Sequence, residues 1–295
     1  MTILEVIQRS ADFLAKKGVA SPRLQVELLL AHLLQMPRMK LYLNFERVLT
    51  TAELDALRAL VQRRGQREPL QYITGSTSFC GLELALNRHV LIPRPETELL
   101  AERAWKFLHQ RGGAATALDI GTGSGCLAIA LAAHATAARL HATDISADAL
   151  AVARQNAGRC GVSDRVQFHQ GDLFAAAPPA LRCDLIVSNP PYIPSARIET
   201  LEPEVRDFEP RGALDGGADG LDFYRTIAAQ ARPFLAPAGQ VMLELDADGA
   251  EAAREIFRME KWNVPPVQLD DAGQPRILIA YLEPTSHDDS HKTEC

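Results

Sequence analysis

Leu118-Asp119-Ile120-Gly121-Thr122-Gly123-Ser124-Gly125 is the stretch that decides how this chain folds. A short strand-like run passes directly into three glycines within five residues, and a helix is expected near 125–134. Glycine lets the backbone turn sharply and approach a ligand with no Cβ in the way. The helix start that follows offers unpaired N–H donors to a carboxylate or phosphate. Strand, glycine turn and helix in that order open a doubly wound α/β sheet.

Outward from this point the chain keeps alternating. Strands are expected at 117–120, 139–143, 165–169, 184–188, 240–245, 264–269 and 276–281, with further helices near 146–158, 221–232 and 249–259. Regular β-α alternation predicts a mostly parallel, seven-stranded doubly wound sheet. Ligands of such sheets bind at the carboxyl ends of the strands, so the residues there are the candidates. Asp144 closes the second strand 23 residues after Gly121, close to the roughly 20 expected of a ribose-binding acid. The glycine spacing is G-x-G-x-G and not G-x-G-x-x-G, which fits a nicotinamide dinucleotide poorly. A nucleoside carrying an amino-acid carboxylate, such as S-adenosylmethionine, fits better. Gly121, Thr122, Gly123, Ser124 and Gly125 would hold its carboxylate and Asp144 its ribose. Beyond the third strand, Asp172 is placed to accept from an adenine amino group and Leu173 to cover the ring.

The fourth strand, Asp184–Ser188, ends in Asn189-Pro190-Pro191-Tyr192. Two prolines cannot continue a sheet, because they fix φ and carry no N–H. They hold Asn189 and Tyr192 stiffly at the ligand-binding edge. A carboxamide is a poor nucleophile, since its nitrogen lone pair is delocalised into the carbonyl. The Asn189 side-chain oxygen and the Pro190 carbonyl are two acceptors that could grip such an amide, with the Tyr192 ring as a flat apolar face. The motif has no histidine, and none is needed, because the proton leaves readily once nitrogen is alkylated. Asp215, Asp219 and Asp222 lie in a glycine-rich segment and are expected to form turns and cap a helix.

The remainder of the chain bounds the function. At 295 residues, 47% hydrophobic and 23% charged, it suits an ordinary globular protein of two domains. No apolar run reaches the 18 or so residues of a membrane span, and the N-terminus resembles an amphipathic helix, not a signal peptide. Five scattered cysteines, never C-x-x-C, suggest free thiols in the cytoplasm and no zinc site. A net charge of −6 disfavours a nucleic-acid substrate. The basic group Arg58, Arg63, Arg64 and Arg67 is expected to be solvated cations near a helix C-terminus.

Residues 1–69 read as a helical domain. Gly18 stops the first helix, Ser21-Pro22 caps the second, and Thr50 and Glu53 have capping-box spacing for the third. The second helix is expected over Arg23–Met36, with Leu24, Leu28, Ala31 and Leu34/Gln35 providing its face. Residues 70–92 read as a β-hairpin connector with strands Ser76–Phe79 and Leu82–Leu86, and Pro93–Glu98 starts a new helix. The catalytic-type domain spans 93–283, and 284–295 is expected to be a flexible tail, with His287, His291 and Cys295 discounted as metal ligands.

These segments together resemble the release factor glutamine methyltransferases. The similarity runs from about Glu68 to Ala280 and is carried by Glu68–Gly75, Leu91–Glu98, Asp119–Cys126, Thr143–Ser146, Ser188–Ile193, Glu209–Leu214 and Gly216–Asp222. Asn-Pro-Pro-Tyr alone is shared with adenine-N6 nucleic-acid methyltransferases. The Pro93–Glu98 segment separates the chain from a sister family acting on a ribosomal-protein glutamine. The resemblance implies N5-methylation of the glutamine in the Gly-Gly-Gln motif of class I peptide chain release factors. S-adenosylmethionine would be the donor, S-adenosylhomocysteine the product, and no metal would take part. Asn189, Pro190 and Tyr192 would be catalytic, Asn189–Tyr192 would bind substrate, and Asn189 would also touch cofactor. Arg94, Glu96 and Thr97 would line the pocket, and the helical domain would dock the protein partner. The chain departs from the family at Glu244-Leu245-Asp246-Ala247-Asp248-Gly249, where the glutamine commonly found a few positions beyond the glutamate is missing. A scaffold that only binds the cofactor is the non-enzymatic alternative.

Overall fold

In the computed structural model, which describes residues 1–283, helix α1 (Ile3–Lys16) begins at a capping box. Thr2 Oγ1 accepts the Glu5 N–H at 3.3 Å and Glu5 accepts the Thr2 N–H at 2.8 Å, so two orphan donors are satisfied reciprocally. After α2 (Pro22–Leu33) and the short α3 (Arg38–Tyr42), α4 (Thr51–Gly65) repeats the device with Thr50 and Glu53. Ser21 does occupy the cap position of α2, but its φ of 49° is left-handed and its hydroxyl makes no cap hydrogen bond. Pro22, lacking an N–H, leaves one fewer donor to satisfy there. The buried face of α2 differs in part from expectation: Ala31 is inside as expected, but it is joined by Val26, Leu29 and Leu30, and Leu24 is 38% exposed. The helix is apolar on most sides, so spacing alone does not select a face. Neither α3 nor α5 (Leu70–Thr74) was expected; five residues are too few to show a period.

The chain divides into two compact units. The first comprises Met1–Thr77, Ala85–Ile92 and Glu199–Pro210; the second comprises Ser78–Leu84, Pro93–Ile198 and the described residues from Arg211 onward. Residues 199–210, which include α9 (Pro203–Arg206), lie far along the sequence yet belong to the first unit. The reason is electrostatic. Glu204 accepts from Arg64 at 2.7 Å and from Arg67 at 2.5 and 2.7 Å, and Arg67 also reaches Glu202 at 2.9 Å. Arg63 makes a two-point contact with Glu68, and Arg64 is only 5% exposed. The basic group is therefore not a solvated face: three of its four cations hold the first unit together, and Arg58 pairs with Asp55.

Strands β1 (Ser76–Phe79) and β2 (Leu82–Ala85) form the expected hairpin, turning at Cys80 and Gly81, both with positive φ. Helix α6 (Pro95–Arg111) then leads to β3 (Thr116–Ile120), α7 (Cys126–His134), β4 (Arg139–Asp144), α8 (Ala147–Arg159), β5 (Val166–Gln170) and β6 (Cys183–Ser188). Helix α10 (Asp222–Gln230), β7 (Leu235–Glu244), α11 (Ala250–Met259), β8 (Gln268–Leu269) and β9 (Pro275–Tyr281) complete the described chain. The seven strands from β3 onward order as β5-β4-β3-β6-β7-β9-β8, parallel except that β9 runs against both β7 and β8. The strand expected over 264–269 shrinks to two residues, because Pro265 and Pro266 have no N–H to give a ladder.

Alternation along the strands feeds two cores. Ala117, Leu185 and Val187 pack with α6 and α7 on one face, while Leu118, Ile120 and Ile186 pack with α10 and α11 on the other. A third cluster, with Ile3, Ile7, Leu14, Leu29 and Leu57, fills the helical unit. The expected tail, 284–295, with His287, His291 and Cys295, lies outside the described residues. Among the described residues no helix is long and apolar enough to cross a membrane.

Candidate active site

The strand order reverses about β3, with β4 on one side and β6 on the other, and the carboxyl edge there is the ligand crevice of such sheets. The glycine turn at this edge is tightly held. The N–H groups of Gly121 and Thr122 both donate to the Thr143 carbonyl, at 2.9 and 3.0 Å, and Gly125 donates to the Thr122 carbonyl at 2.8 Å. Gly125 sits at φ +82°, and a Cβ there would come 2.8 Å from the tip of Ile129 and 3.1 Å from Ala153, so any other residue would be strained and crowded. With no side chain at the helix cap, α7 borrows one. Asp119 Oδ2 accepts the Ala128 N–H at 3.2 Å and the Thr122 hydroxyl at 2.6 Å.

Asp119 was not among the candidates from the sequence. It is 1% exposed, its Oδ1 has no hydrogen-bond partner, and burial pushes its pKa up to about 7 against the two hydrogen bonds. An unsatisfied buried acceptor beside a glycine turn suits a ligand bearing an ammonium group. Asp144, at the end of β4, accepts from Gly123 N at 2.8 Å through one oxygen and from Ser146 N at 2.9 Å through the other. Each oxygen keeps acceptor capacity for a hydroxyl. Ile145 beside it is 71% exposed, and Leu173, at φ +43°, is half-buried. Asp172 is exposed and makes no cap hydrogen bond to the short helical turn that follows it. A nucleoside amino acid would find a ribose acceptor, apolar surface and an ammonium acceptor along this edge. Among the described residues no group of His, Cys, Asp and Glu is arranged to hold a metal.

Asn189 follows β6 at the same edge. Ser188 Oγ donates to the Ile120 carbonyl at 2.7 Å, tying the end of β6 to the end of β3. Asn189 Nδ2 donates to Thr97 Oγ1 at 3.2 Å, and the side chain is only partly buried. With its NH2 engaged, its Oδ1 is the atom left to accept. Pro190 is buried, and Tyr192 packs partly into the β7–α10 core. Burial first, then the nearby Glu244 and Asp246, raise the Tyr192 pKa, so its phenol stays neutral.

The motif is buttressed from behind. Ile193 N donates to the Leu214 carbonyl at 3.0 Å, Gly216 N to the Ile193 carbonyl at 2.9 Å, and Ser195 N to the Gly217 carbonyl at 2.9 Å. A Cβ on Gly216 would lie 2.8 Å from the Pro191 oxygen, and one on Gly220 would lie 2.3 Å from the Tyr192 oxygen. Asp215 accepts from Ser195 Oγ at 2.5 Å and Gly217 N at 3.1 Å, and Asp219 accepts from Leu221 N at 3.1 Å. Both are turn-formers as expected. Helix α10 has no side-chain cap, however; Asp222 instead pairs with Arg225 at 3.0 Å.

Thr97, in the first turn of α6, is 1% exposed, as is Glu244 at the end of β7. Neither Glu244 oxygen has a formed hydrogen bond. Burial drives its pKa up to about 7; the adjacent Thr97 hydroxyl, Arg276 and Arg94 oppose the rise and Glu96 adds to it. A lone acid ending the run Val241-Met242-Leu243 was the available sequence signal for Glu244, as Leu118-Asp119-Ile120 was for Asp119. Where the customary glutamine is missing, Asp246 and Asp248 face Arg197 at 3.7 and 3.3 Å.

Two family models match: the PrmC N-terminal domain over residues 5–75 and the methyltransferase small domain over residues 97–201. The release factor glutamine methyltransferase of Geobacter sulfurreducens is 48% identical over 256 residues, covering 87% of this chain and 88% of that one. Its counterpart from Chlorobaculum tepidum is 45% identical over 263 residues, covering 87% and 89%. The solved methyltransferase of Pyrococcus furiosus, 20% identical, superposes with a TM-score of 0.50 over 68% of this chain and 88% of its own, a likeness of fold. With such identity running through both units, the chain belongs to the release factor glutamine methyltransferase family, S-adenosylmethionine-dependent enzymes that methylate protein glutamine.

Proposed function

We propose that the enzyme methylates the side-chain N5 of the glutamine in the Gly-Gly-Gln motif of class I peptide chain release factors, acting in the cytoplasm. The observation that carries this reading is the fixed Asn189 amide. Its NH2 is committed to Thr97, which leaves Oδ1 as an acceptor at the carboxyl edge of the sheet. A substrate carboxamide has two N–H donors, and Asn189 Oδ1 and the Pro190 carbonyl are the two acceptors for them. Held between them, the amide is fixed in plane and its growing positive charge is stabilised. Orientation of this kind supplies several kcal/mol, of the roughly 7–11 available in the best cases. The Tyr192 ring provides a flat face for the amide.

S-adenosylmethionine, when bound, supplies an electrophilic methyl group. Gly121–Gly125, Asp144, Asp172, Leu173 and Asn189 are the residues we assign to hold it, joined now by Asp119 for the ammonium and Ile145 beside the base. The helical unit, residues 1–69, is assigned to docking the release factor. No base is required of the protein, and no acid or base in the Asn189–Tyr192 motif has to change its protonation state.

The test uses labelled cofactor and purified release factor. Wild-type enzyme should label a factor with an intact Gly-Gly-Gln loop and not one with that glutamine replaced. Asn189→Ala should bind cofactor and lose transfer. Labelling of the replaced factor, or near-normal turnover by Asn189→Ala, refutes the assignment.

A further inference from the structure

We propose that the groove between α1 and α4 seats an apolar segment of the release factor whose flanking carboxylates pair with Arg9 and Arg58. The inference rests on the assignment of the helical unit to docking, and adds where on that unit the factor binds and by what chemistry. The two helices start side by side, where the Leu49 N–H donates to the Met1 carbonyl at 3.0 Å. They also end side by side, where the Phe13 ring lies against Gly65. Between these points the short Ser10 side chain fills little of the space, and a cavity of about 270 Å3 remains, open to solvent. Its floor is Val6, Leu57 and Val61, all buried, while Met1 and Phe13, 41% and 37% exposed, carry the apolar surface toward its two ends. Small-molecule sites enclose roughly 300–1,000 Å3. This one is smaller and lies open, a shape that takes side chains presented by another protein.

Charge selects the occupant. The chain carries a net charge of −6, yet no carboxylate lines the groove and both of its charged liners are cationic. Among the described residues Arg9 has no ion pair, and Arg58 has an exposed pairing with Asp55, three positions away on the same helix, at 2.6 Å. An exposed pair of that kind is worth little, so both guanidinium groups are available to carboxylates of a partner. Apolar side chains set between Asp or Glu match the floor and the rim together. A second copy of the chain does not: seated here about a two-fold axis, it would set the same arginines against each other. The residues assigned to cofactor and glutamine all belong to the second compact unit, which leaves this surface of the first for the rest of the protein substrate.

The test compares wild type with two variants, Arg9→Glu combined with Arg58→Glu, and the groove-filling Ser10→Trp. Turnover is measured on the intact release factor and on a short peptide spanning its Gly-Gly-Gln loop. KM for the factor should rise about tenfold in each variant, the scale of reversed rim charges or a blocked apolar contact, with kcat and the KM for cofactor unchanged. Turnover of the peptide, which lacks the docking segment, should be the same in all three proteins. In wild type the KM for the factor should rise with salt, and in the arginine variant that dependence should flatten. An unchanged KM for the factor in the arginine variant, or an equal loss on factor and peptide, overturns the proposal. So does a change in sedimentation of the enzyme alone, which would mean that the groove seats a second copy. If wild type methylates neither factor nor peptide, the functional reading fails, while calorimetric binding of the factor to wild type and the variants still judges the groove separately.

Discussion

Replacing Glu244 with glutamine should make the protein more stable at alkaline pH. The carboxyl's ordinary pKa of 4.5 rises to about 7 in the folded chain, with burial the largest cause. A raised acid inverts the usual sign. The folded state holds the proton more tightly, so nothing is lost below the unfolded value of 4.5. As pH climbs from there toward the folded value, the unfolded chain ionises first and stability falls; above about 7 the loss is complete. At roughly 1.4 kcal/mol for each tenfold change in proton affinity, that rise amounts to about 3 kcal/mol. Glutamine keeps the shape and its own unmet hydrogen bonds at every pH, so the pH-dependent part of the difference isolates the charge. Urea unfolding of wild type and Glu244→Gln at about pH 4.5 and about pH 8 measures it. The stability gap should move toward the glutamine variant by up to about 3 kcal/mol between the two. A gap that stays constant with pH, or moves toward wild type, would refute the burial argument.

Three further outcomes are expected. Gly220→Ala puts a Cβ 2.3 Å from the Tyr192 oxygen at φ +79°; displacing the motif by even about 1 Å should cut kcat by about a hundredfold while cofactor binding by calorimetry survives. Glu204→Ala strands Arg64, whose side chain is 6% exposed, and should cost the first unit about 3 kcal/mol in chemical unfolding. Burial raises the Glu204 pKa, but hydrogen bonds from Arg67 and Arg64 outweigh it and hold the group below its ordinary value; its contribution is therefore full at neutral pH and fades on acidification, and a pH-independent loss would count against the pairing. Asp144→Asn turns an NH2 toward Gly123 N or Ser146 N and should weaken cofactor binding about tenfold or more in calorimetry; an unchanged affinity would sink its role.

The glycine turn, the succession of strand ends and the proline-stiffened Asn189–Tyr192 were legible because each is a local pattern. Strand period, turn chemistry and missing N–H groups act between chain neighbours, and the structure keeps β3, α7, β4 and β6 within a residue or two of expectation. Where local pattern was ambiguous the reading slipped. Helix α2 is apolar on most sides and hid its buried face, and 264–269 has strand composition with prolines that forbid the ladder.

Partnerships across the chain were out of reach. Thr97 and Asn189 are 92 residues apart, and Arg64 and Glu204 are 140 apart. Asp119 lies within an apolar strand and Glu244 at the end of one, and only their burial sets them apart from ordinary acids. The sequence by itself determined the sheet, its carboxyl edge and the residues carried there, since backbone sterics and hydrophobic period are properties of neighbouring residues. Only the tertiary structure decided which of those residues touch and which charges lose their water, because desolvation and hydrogen-bond direction depend on what packing brings together from distant parts of the chain.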